Sequence, residues 1–452
     1  MSDSAATGQS DRLLASFAEL HPRRIDLSLG RIRRLLAALG NPERSLPPVA
    51  HVAGTNGKGS CLAFLRAIAR EQGWRADCYI SPHLARFHER IQIGGGDVGE
   101  ARLARALRAA SAANGGRRIT YFEITTAAAF LIFAEAHARQ RRDLLILEVG
   151  LGGRLDATNV VPDAVLSVIS PVGRDHESFL GAGLESIARE KAGIMRARTA
   201  AVSAPQRAAA RRALVARADA LGAPLLLGGR DWSYREEAGA AGRSRVFVDC
   251  DVFSDLGRRV FRPGLVGPHQ AVNAATSLVA ARWLGASLDA CARGVSRTRW
   301  PGRMQELRRG RLARRTGRDF SVWVDGAHNP DAARVLAEAL GRLSGFAPWS
   351  FIAGMVAGKR CREFLRVLGG GGGGGLLVAV PVAGHESVDV EVLAGYARGL
   401  GFRAEAADSI EGAIDIVARL RSGDAAGTKK GVMICGSLYL VGEALKINDH
   451  PN

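Results

Sequence analysis

Short apolar runs alternate along this chain with longer stretches in which apolar residues recur at helical spacing. The apolar runs of the first half lie at residues 49–53, 76–80, 144–149 and 165–169, and helical patterns fall between them, as at 101–113 and 125–138. Strands that alternate with helices predict a parallel sheet with helices on both faces. The first half of the chain is therefore expected to form an α/β domain.

The second half begins differently and then returns to the same alternation. Residues 232–235 and 245–249 predict a small antiparallel hairpin at the edge of the sheet. A second α/β unit starts near Arg303, with strands predicted at 320–324, 351–353, 376–380 and 432–434 and a helix at 330–343. Pro301 and Gly302 break both element types. We therefore predict an α/β fold with a larger domain at residues 1–300 and a smaller Rossmann-like domain at 301–452.

Composition limits the class of protein. Of the 452 residues, 47% are hydrophobic and 23% are charged, which is typical of a globular protein. No apolar run reaches the roughly 18 residues that a membrane helix needs, and the polar N-terminus, residues 1–12, is expected to be poorly ordered. The six cysteines are scattered without a C-x-x-C pair, which indicates reduced thiols and no zinc site. A cytoplasmic protein without a membrane partner is expected.

The net charge of +18 raises the possibility of nucleic-acid binding. The arginines are spread along the chain, however, and only 6% of the residues are aromatic, with no basic run interleaved with aromatic residues. We therefore expect no nucleic-acid partner. Steep salt dependence of binding would identify the alternative.

The segment GTNGKGS at residues 54–60 is the most informative motif. It follows a predicted strand and opens a helical pattern, an arrangement that wraps backbone N–H groups around phosphate. The match to the P-loop pattern is imperfect, because Val52 stands at its first glycine and Gly59 separates Lys58 from Ser60. The motif predicts nucleoside triphosphate binding in a P-loop ATPase-like domain. The alternative is a glycine-rich turn with an incidental lysine.

Three further segments put polar residues beyond the ends of predicted strands, where parallel sheets bind their ligands. Glu148 is suited to hold Mg²⁺ beside phosphates, because this ion prefers hard oxygen ligands. His176 follows the next strand, and Asp325 and His328 follow a strand of the second unit. The last pair would face a ligand across a cleft between the domains. Alone, each segment also fits a structural strand-end residue.

Several motifs, taken together and in order, resemble one family. Besides the glycine-rich loop they are SPHL at 81–84, FHERI at 87–91, TYFE at 120–123, GLGGRLDATN at 150–159, REKAGI at 189–194 and DGAHNP at 325–330. They resemble folylpolyglutamate synthase of the Mur ligase superfamily, which is often bifunctional with dihydrofolate synthase in bacteria. The resemblance extends from about Ile25 to Gly442.

This resemblance implies an ATP-dependent amide ligase that adds L-glutamate to dihydropteroate, to reduced folates or to both, through an acyl phosphate. ATP and Mg²⁺ would be the cofactors. The partners would be the small molecules dihydropteroate or folate and L-glutamate, and the protein would be a monomer. Residues 1–300 would be the ATP-binding central domain, and residues 301–452 the C-terminal Mur-ligase-like domain.

The family also implies a role for each matching residue. ATP would be bound by Gly57, Lys58, Gly59, Ser60, Asn273, Arg303 and Asp325. The metal would be ligated by Ser81, Glu148, His176 and Lys191. The folate would face Thr120, Tyr121, Phe122, Glu123, Leu155, Asp156 and Ala157. Catalysis would involve Lys58, Lys191 and His328.

Lys191 is the position that carries a carboxylated lysine in this family, and the modification turns a cation into an oxygen ligand. The alternative is an ordinary helix-surface partner of Glu190 or Glu185. The chain departs from the family at Gly358-Lys359-Arg360, where members usually have Asp-Lys-Asp. Two other interpretations are another amino-acid ligase of the Mur superfamily and a P-loop ATPase without ligase activity.

Overall fold

The computed structural model describes residues 8–19, 27–343, 345–346, 349–370, 375–422 and 429–449. The glycine run at 369–375 lies largely outside these residues. Within the described ranges, every helix falls short of the length and apolar character that crossing a membrane would require.

A large, mostly parallel sheet organises the first part of the chain. Its strands are β1 (Val49–Ala53), β2 (Ala76–Tyr79), β3 (Ile91–Ile93), β4 (Gly96–Asp97), β5 (Leu144–Glu148), β6 (Ala164–Ile169), β7 (Ala201–Ser203) and β8 (Leu225–Leu227). They lie in the order β4-β3-β2-β5-β1-β6-β7-β8, and only β3 and β4 run antiparallel to their neighbours. Both β1 and β5 are buried at every position, as expected for strands covered on two faces.

Helices cover both faces of this sheet. In chain order they are α1 (Gln9–Glu19), α2 (Gly30–Ala38), α3 (Lys58–Glu71), α4 (Glu100–Asn114), α5 (Tyr121–Arg139), α6 (Glu177–Leu180), α7 (Leu184–Ala192), α8 (Ala208–Leu221), α9 (His269–Trp283) and α10 (Leu288–Arg297). Helices α3, α9 and α10 pack on one face, and the remaining helices pack on the other.

The predicted hairpin is present as β9 (Trp232–Ala238) and β10 (Ser244–Cys250), which pair antiparallel. Its inner face carries Val246, Val248 and Cys250, which belong to the same core cluster as α3 and α9. The hairpin is therefore a packed part of this core.

A second sheet of six strands forms the rest of the chain. Its strands are β11 (Gln305–Leu307), β12 (Phe320–Val324), β13 (Ser350–Ala353), β14 (Leu376–Ala379), β15 (Arg403–Ala406) and β16 (Lys430–Cys435), in the order β11-β12-β16-β13-β14-β15. Its helices are α11 (Arg311–Thr316), α12 (Pro330–Gly341), α13 (Cys361–Leu368), α14 (Val390–Arg398), α15 (Ile410–Leu420) and α16 (Leu438–Asp449). Only β11 is antiparallel to its neighbour. The predicted fold class is confirmed, and the domain boundary near residue 300 stays a prediction.

The two sheets are in close contact where α16 meets the loop after β2. A Cβ atom on Gly442 would overlap the carbonyl oxygen of Leu84, and Leu84 itself packs on the core of the second sheet. The loop after β2 therefore follows a strand of the first sheet but packs against the second sheet as well.

Two expectations about helix ends were wrong. Helix α5 begins at Tyr121 and not near residue 125, because Thr120 and Glu123 form a capping box in which each side chain accepts the other's backbone N–H. Helix α1 begins at Gln9, inside the segment expected to be poorly ordered. The backbone N–H and the hydroxyl of Ser10 both donate to the Glu100 carboxylate, at 2.8 and 2.6 Å, and this attaches α1 to α4.

The close packing of α10 on α3 predicts a stability difference between two helical glycines. A Cβ atom on Gly294 would come within 2.5 Å of Ile68 Cα, whereas one on Gly395 in α14 would meet nothing within 4 Å. Gly294→Ala should therefore destabilise the protein by about 1–3 kcal/mol through overpacking. Gly395→Ala should stabilise it by about 0.5–1 kcal/mol through helix propensity. Urea unfolding would measure both, and equal effects would contradict the packing.

Candidate active site in the cleft between the sheets

Loops at the carboxyl ends of both sheets meet around a cavity of about 440 Å³, here called the cleft cavity. The nucleotide, metal and catalytic residues expected from the sequence all line it: Gly57, Lys58, Gly59, Ser60, Ser81, Glu148, His176, Lys191, Asn273, Arg303, Asp325 and His328. They come from loops, helix ends and a strand end that are far apart in sequence. The predicted strand-end positions explain why Glu148, His176 and Asp325 converge.

The glycine-rich loop joins β1 to α3, and Gly57 is the residue before the helix. Gly57 has φ = 88°, a left-handed conformation that favours glycine. A Cβ atom there would also overlap Asn273 Oδ1. Lys58 Nζ donates to the carbonyl oxygens of Gly54 and Thr55, at 3.3 and 3.4 Å, and is thereby held above the loop. The loop thus presents helix N-terminal N–H groups and one ammonium to the cavity.

Oxygen donors suited to a metal lie beside this loop. Glu148 ends β5 and accepts a hydrogen bond from Ser81 N at 3.1 Å. Burial raises the pKa of Glu148, and the positive charge of Lys58 opposes that rise. The buried hydroxyl of Ser81 has no hydrogen-bond partner within the described residues. A carboxylate and an unpaired hydroxyl fit a hard divalent cation.

His176 can contribute a nitrogen ligand. Burial lowers the pKa of His176 to about 4, so that its ring is neutral at physiological pH. Within the described residues, no group of three His, Cys, Asp or Glu side chains could hold a metal on its own. A metal in the cleft would therefore need the Ser81 hydroxyl and oxygens supplied by a bound nucleotide.

Lys191 on α7 is buried in the wall of the cleft cavity. Burial, together with the charge of Lys58, lowers the pKa of Lys191 to about 7. The surface partners considered from the sequence are engaged elsewhere, since Glu190 pairs with Arg154 and Glu185 pairs with Arg189. Lys191 is thus placed as a partly neutral amine.

Asp325 has a structural task that the sequence did not predict. It directly follows β12, and its two carboxylate oxygens accept hydrogen bonds from the backbone N–H groups of Met304 and Ala327, each at 2.9 Å. These bonds hold the turn that carries Arg303 against the end of the second sheet. Arg303 and Asp325 therefore enter the cleft cavity together.

A carboxylate that had no assigned role connects the two sheets. Asp175, in the loop after β6, accepts from Lys359 Nζ at 2.8 Å and from Asn329 Nδ2 at 3.2 Å, and it lies 3.3 Å from His328 Nε2. Burial alone would raise the pKa of the Asp175 carboxyl. The hydrogen bond and charge of His328, with the charges of His176 and Lys359, outweigh burial and hold this pKa far below its ordinary value.

The ring of His328 is oriented by two oxygen atoms. Its Nδ1 lies 2.8 Å from the carbonyl oxygen of Gly326, and its Nε2 faces the Asp175 carboxylate. These two contacts place His328 at the wall of the cleft cavity.

A second cavity of about 480 Å³, here called the side cavity, opens from the first. Ser81, Pro82, Gly150, His176 and His328 are among the residues that line both. Of the residues expected to face the folate, its wall contains Thr120, Phe122, Glu123, Leu155, Asp156 and Ala157. Tyr121 is outside that wall and packs on Phe87, with ring centroids 6.3 Å apart.

Two acidic residues of the side cavity, Asp156 and Glu123, are held by protein partners. Asp156 accepts from Leu151 N at 2.8 Å and from the Thr158 hydroxyl at 2.5 Å. Glu123 accepts from Arg31 Nε at 2.9 Å. Arg31 and Arg90 also line this cavity, although no role was expected for either from the sequence. Arg90 lies in the motif at 87–91, which was the available signal.

A phosphate-binding loop on one parallel sheet, faced across a cleft by a second α/β domain, defines a two-domain, nucleotide-dependent ligase. The family model of the Mur ligase glutamate ligase domain matches residues 303–437. The chain is 33% identical to the dihydrofolate synthase/folylpolyglutamate synthase of Escherichia coli, over 96% of this chain and 94% of that protein.

Solved structures agree with this. Mycobacterium tuberculosis folylpolyglutamate synthase complexed with ADP matches with a TM-score of 0.85 and 30% identity, covering 98% of this chain and 99% of that one. Bifunctional folylpolyglutamate synthase/dihydrofolate synthase from Yersinia pestis, complexed with AMPPNP and Mn ion, matches with a TM-score of 0.77 and 28% identity, covering 99% of each chain. The chain therefore belongs to the dihydrofolate synthase/folylpolyglutamate synthase family of ATP-dependent ligases. The predicted family, the ligase class and the use of ATP with a divalent metal are confirmed.

The fit of Gly57 against Asn273 predicts a loss of nucleotide binding on substitution. Gly57→Ala should weaken ADP binding by at least roughly tenfold, since an alanine at this φ is strained and its methyl group displaces Asn273. Gly73→Ala is the matched control, because Gly73 has a similar φ of 82° but no atom within 4 Å of the added Cβ. Calorimetry with ADP would compare them. Equal ADP affinities for the two variants would contradict the assigned contact.

Proposed function

We propose that this chain joins L-glutamate to dihydropteroate and to reduced folates while converting ATP to ADP and phosphate. The observation that carries the proposal is the junction of the two cavities at Ser81. There the cleft cavity, which the glycine-rich loop lines, meets the side cavity, whose walls are both apolar and polar. Such a cavity suits a flat ring system whose carboxylate must reach the γ-phosphate.

The reaction has to solve a leaving-group problem. An amine does not displace oxide from a carboxylate, so the carboxylate must first be activated. A carboxylate oxygen of the folate attacks the γ-phosphorus of ATP, and the bond from that phosphorus to the bridging oxygen of the β-phosphate breaks. ADP departs, and the folate carries an acyl phosphate. The glutamate amine then attacks the acyl carbon, phosphate departs, and the nitrogen loses a proton as the amide forms.

The proposed roles of the cleft residues follow from charge and position. Lys58 and the N–H groups at the start of α3 would bind the phosphates, and His328 would approach them from the other sheet. Asn273, Arg303 and Asp325 would contact the nucleoside part. A divalent metal held by Ser81, Glu148 and His176 would neutralise charge on the phosphate oxygens.

Contacts across the cleft would help to exclude water from the reactive acyl phosphate. Asp175 bonds to Lys359, and Arg207 pairs with Asp331 at 2.9 Å. Each pair joins a loop of the first sheet to the second domain. We further propose that the protein acts as a cytoplasmic monomer without a nucleic-acid partner, and that its domains divide near residue 300.

The first test is ADP release by the full-length protein with Mg²⁺, ATP, dihydropteroate and L-glutamate. Lys58→Ala should lower kcat/KM by roughly 10²–10³-fold, because the variant lacks the charge that stabilises the transferred phosphoryl group. Lys429→Ala, which removes an exposed lysine outside the cleft, is the control. ADP release that does not depend on any pterin would identify an ATPase without ligase activity. Full activity of Lys58→Ala would refute the role of that residue.

The second test concerns carboxylation of Lys191, in which the neutral amine adds CO₂ and releases a proton. The lowered pKa of about 7 means that the neutral amine decreases as the pH falls through 7. With ¹³C-bicarbonate, a carbamate signal is expected at about pH 8 and should fade by about pH 6, whereas an ordinary lysine would need a pH near 10. Lys191→Met should give no signal. An active wild-type enzyme without a carbamate by ¹³C NMR would exclude the modification.

A further inference from the structure

Three long cationic side chains line the side cavity, and they differ in their partners. Arg31 pairs with Glu123 at 2.9 Å, and Lys359 pairs with Asp175 at 2.8 Å. Within the described residues, Arg90 has no carboxylate oxygen within 4.0 Å, although it is only 7% exposed. A buried guanidinium without an anion is costly unless a ligand supplies one.

The backbone and the stem of Arg90 are firmly held. Its carbonyl oxygen accepts from Ile80 N at 2.9 Å, which attaches it to the end of β2, beside Ser81. Its guanidinium carbon lies 5.2 Å from the centroid of the Phe87 ring. Glu89 organises the loop before it, because its carboxylate accepts three consecutive backbone N–H groups, those of Leu84, Ala85 and Arg86.

One side-chain bond sets the orientation of the guanidinium. Arg90 Nε donates to His83 Nδ1 at 2.9 Å. This nitrogen can accept only if it carries no proton. Within the described residues, the two terminal amino groups of Arg90 make no hydrogen bond, and they are left for the side cavity.

The position of Arg90 indicates what it would bind. Its side chain lines the side cavity, and its backbone is bonded to Ile80, the residue before Ser81, which lines both cavities. It is thus near the junction of the two cavities, where the carboxylate of the acyl substrate must approach the triphosphate. Two anions repel each other there, and a guanidinium can hold carboxylate oxygens through parallel N–H groups.

We propose that Arg90 binds the carboxylate of the acyl substrate and that His83 is a positioning residue for Arg90. This inference rests on the proposed function and names the side chain that selects an acidic pterin over a neutral one. Each carboxylate oxygen has two lone pairs, so a bond to Arg90 leaves one for attack on phosphorus. The guanidinium offsets the repulsion and orients the nucleophile.

The test compares two ligands that differ only at the acyl group, dihydropteroate and its carboxamide. Binding to the full-length protein with ADP and Mg²⁺ is measured by calorimetry. The wild type should prefer the carboxylate by roughly 10- to 100-fold, as expected for a hydrogen-bonded charge pair. Arg90→Gln should bring this ratio close to one and leave carboxamide affinity unchanged. Arg66→Gln, which changes a half-buried arginine on α3 outside both cavities, should keep the wild-type ratio.

Several outcomes would overturn the inference. Equal weakening of both ligands by Arg90→Gln would show a merely structural role, and an unchanged ratio would show no contact with the carboxylate. If the wild type binds dihydropteroate and releases ADP while Arg90→Gln keeps the ratio, only this inference fails. If the wild type neither binds dihydropteroate nor releases ADP with it, the proposed function fails as well.

The role of His83 is tested with two substitutions. His83→Leu removes the acceptor and should raise KM for dihydropteroate by roughly tenfold while KM for ATP is unchanged. His83→Asn places an amide oxygen near the position of Nδ1 and should restore most of the loss. Equal changes in both KM values, or equal defects in the two variants, would assign His83 a purely structural role.

Discussion

The partly buried carboxylate of Asp175 is the point on which the arrangement of the two sheets depends. It comes from the first sheet and is bonded to Lys359 and Asn329 of the second, with His328 beside it. A carboxylate removed from water needs such partners, and these can be supplied only when the second domain is in place. The same interaction brings His328 opposite the phosphate-binding loop. The contacts of Asp175 therefore determine both how the second domain is arranged and which side chains face the site.

Throughout the cleft, positively charged side chains are available to anionic reactants. The reactants of the proposed ligation are anions, and positive groups converge on them from different elements: Lys58 from α3 and Arg90 from the loop after β2. Most carboxylates around them already accept backbone or side-chain donors, as Asp325 and Asp156 do. Carboxylates that already accept hydrogen bonds from the protein do not compete with a ligand for the positively charged side chains. The site thus keeps its positive charge available although acidic residues surround it.

Much of this could be predicted from the sequence, for a physical reason. Parallel strands end at the same edge of a sheet, so Glu148 and His176 could be placed near the glycine-rich loop from their positions at strand ends. Asp325 and His328 could be placed at the cleft in the same way, and the family resemblance added their roles. Thr120 and Glu123 match the local pattern of a capping box, which the sequence already contains. The bond from Met304 N to Asp325 and the bonds of Asp175 to Lys359 and Asn329 join residues far apart in the sequence, so no local pattern predicts them.

The contact of Gly442 with the loop after β2 has a consequence for how such a protein can change over time. The loop that carries Ser81 and Arg90 is wedged against α16 so closely that the helix tolerates no side chain at that position. A C-terminal half exchanged by recombination would have to bring a compatible surface for Leu84, or it would shift two residues of the opposite half. The two halves of the chain must therefore remain compatible as they evolve. New substrate preferences would arise more readily through coordinated substitutions in both halves than through the exchange of whole domains.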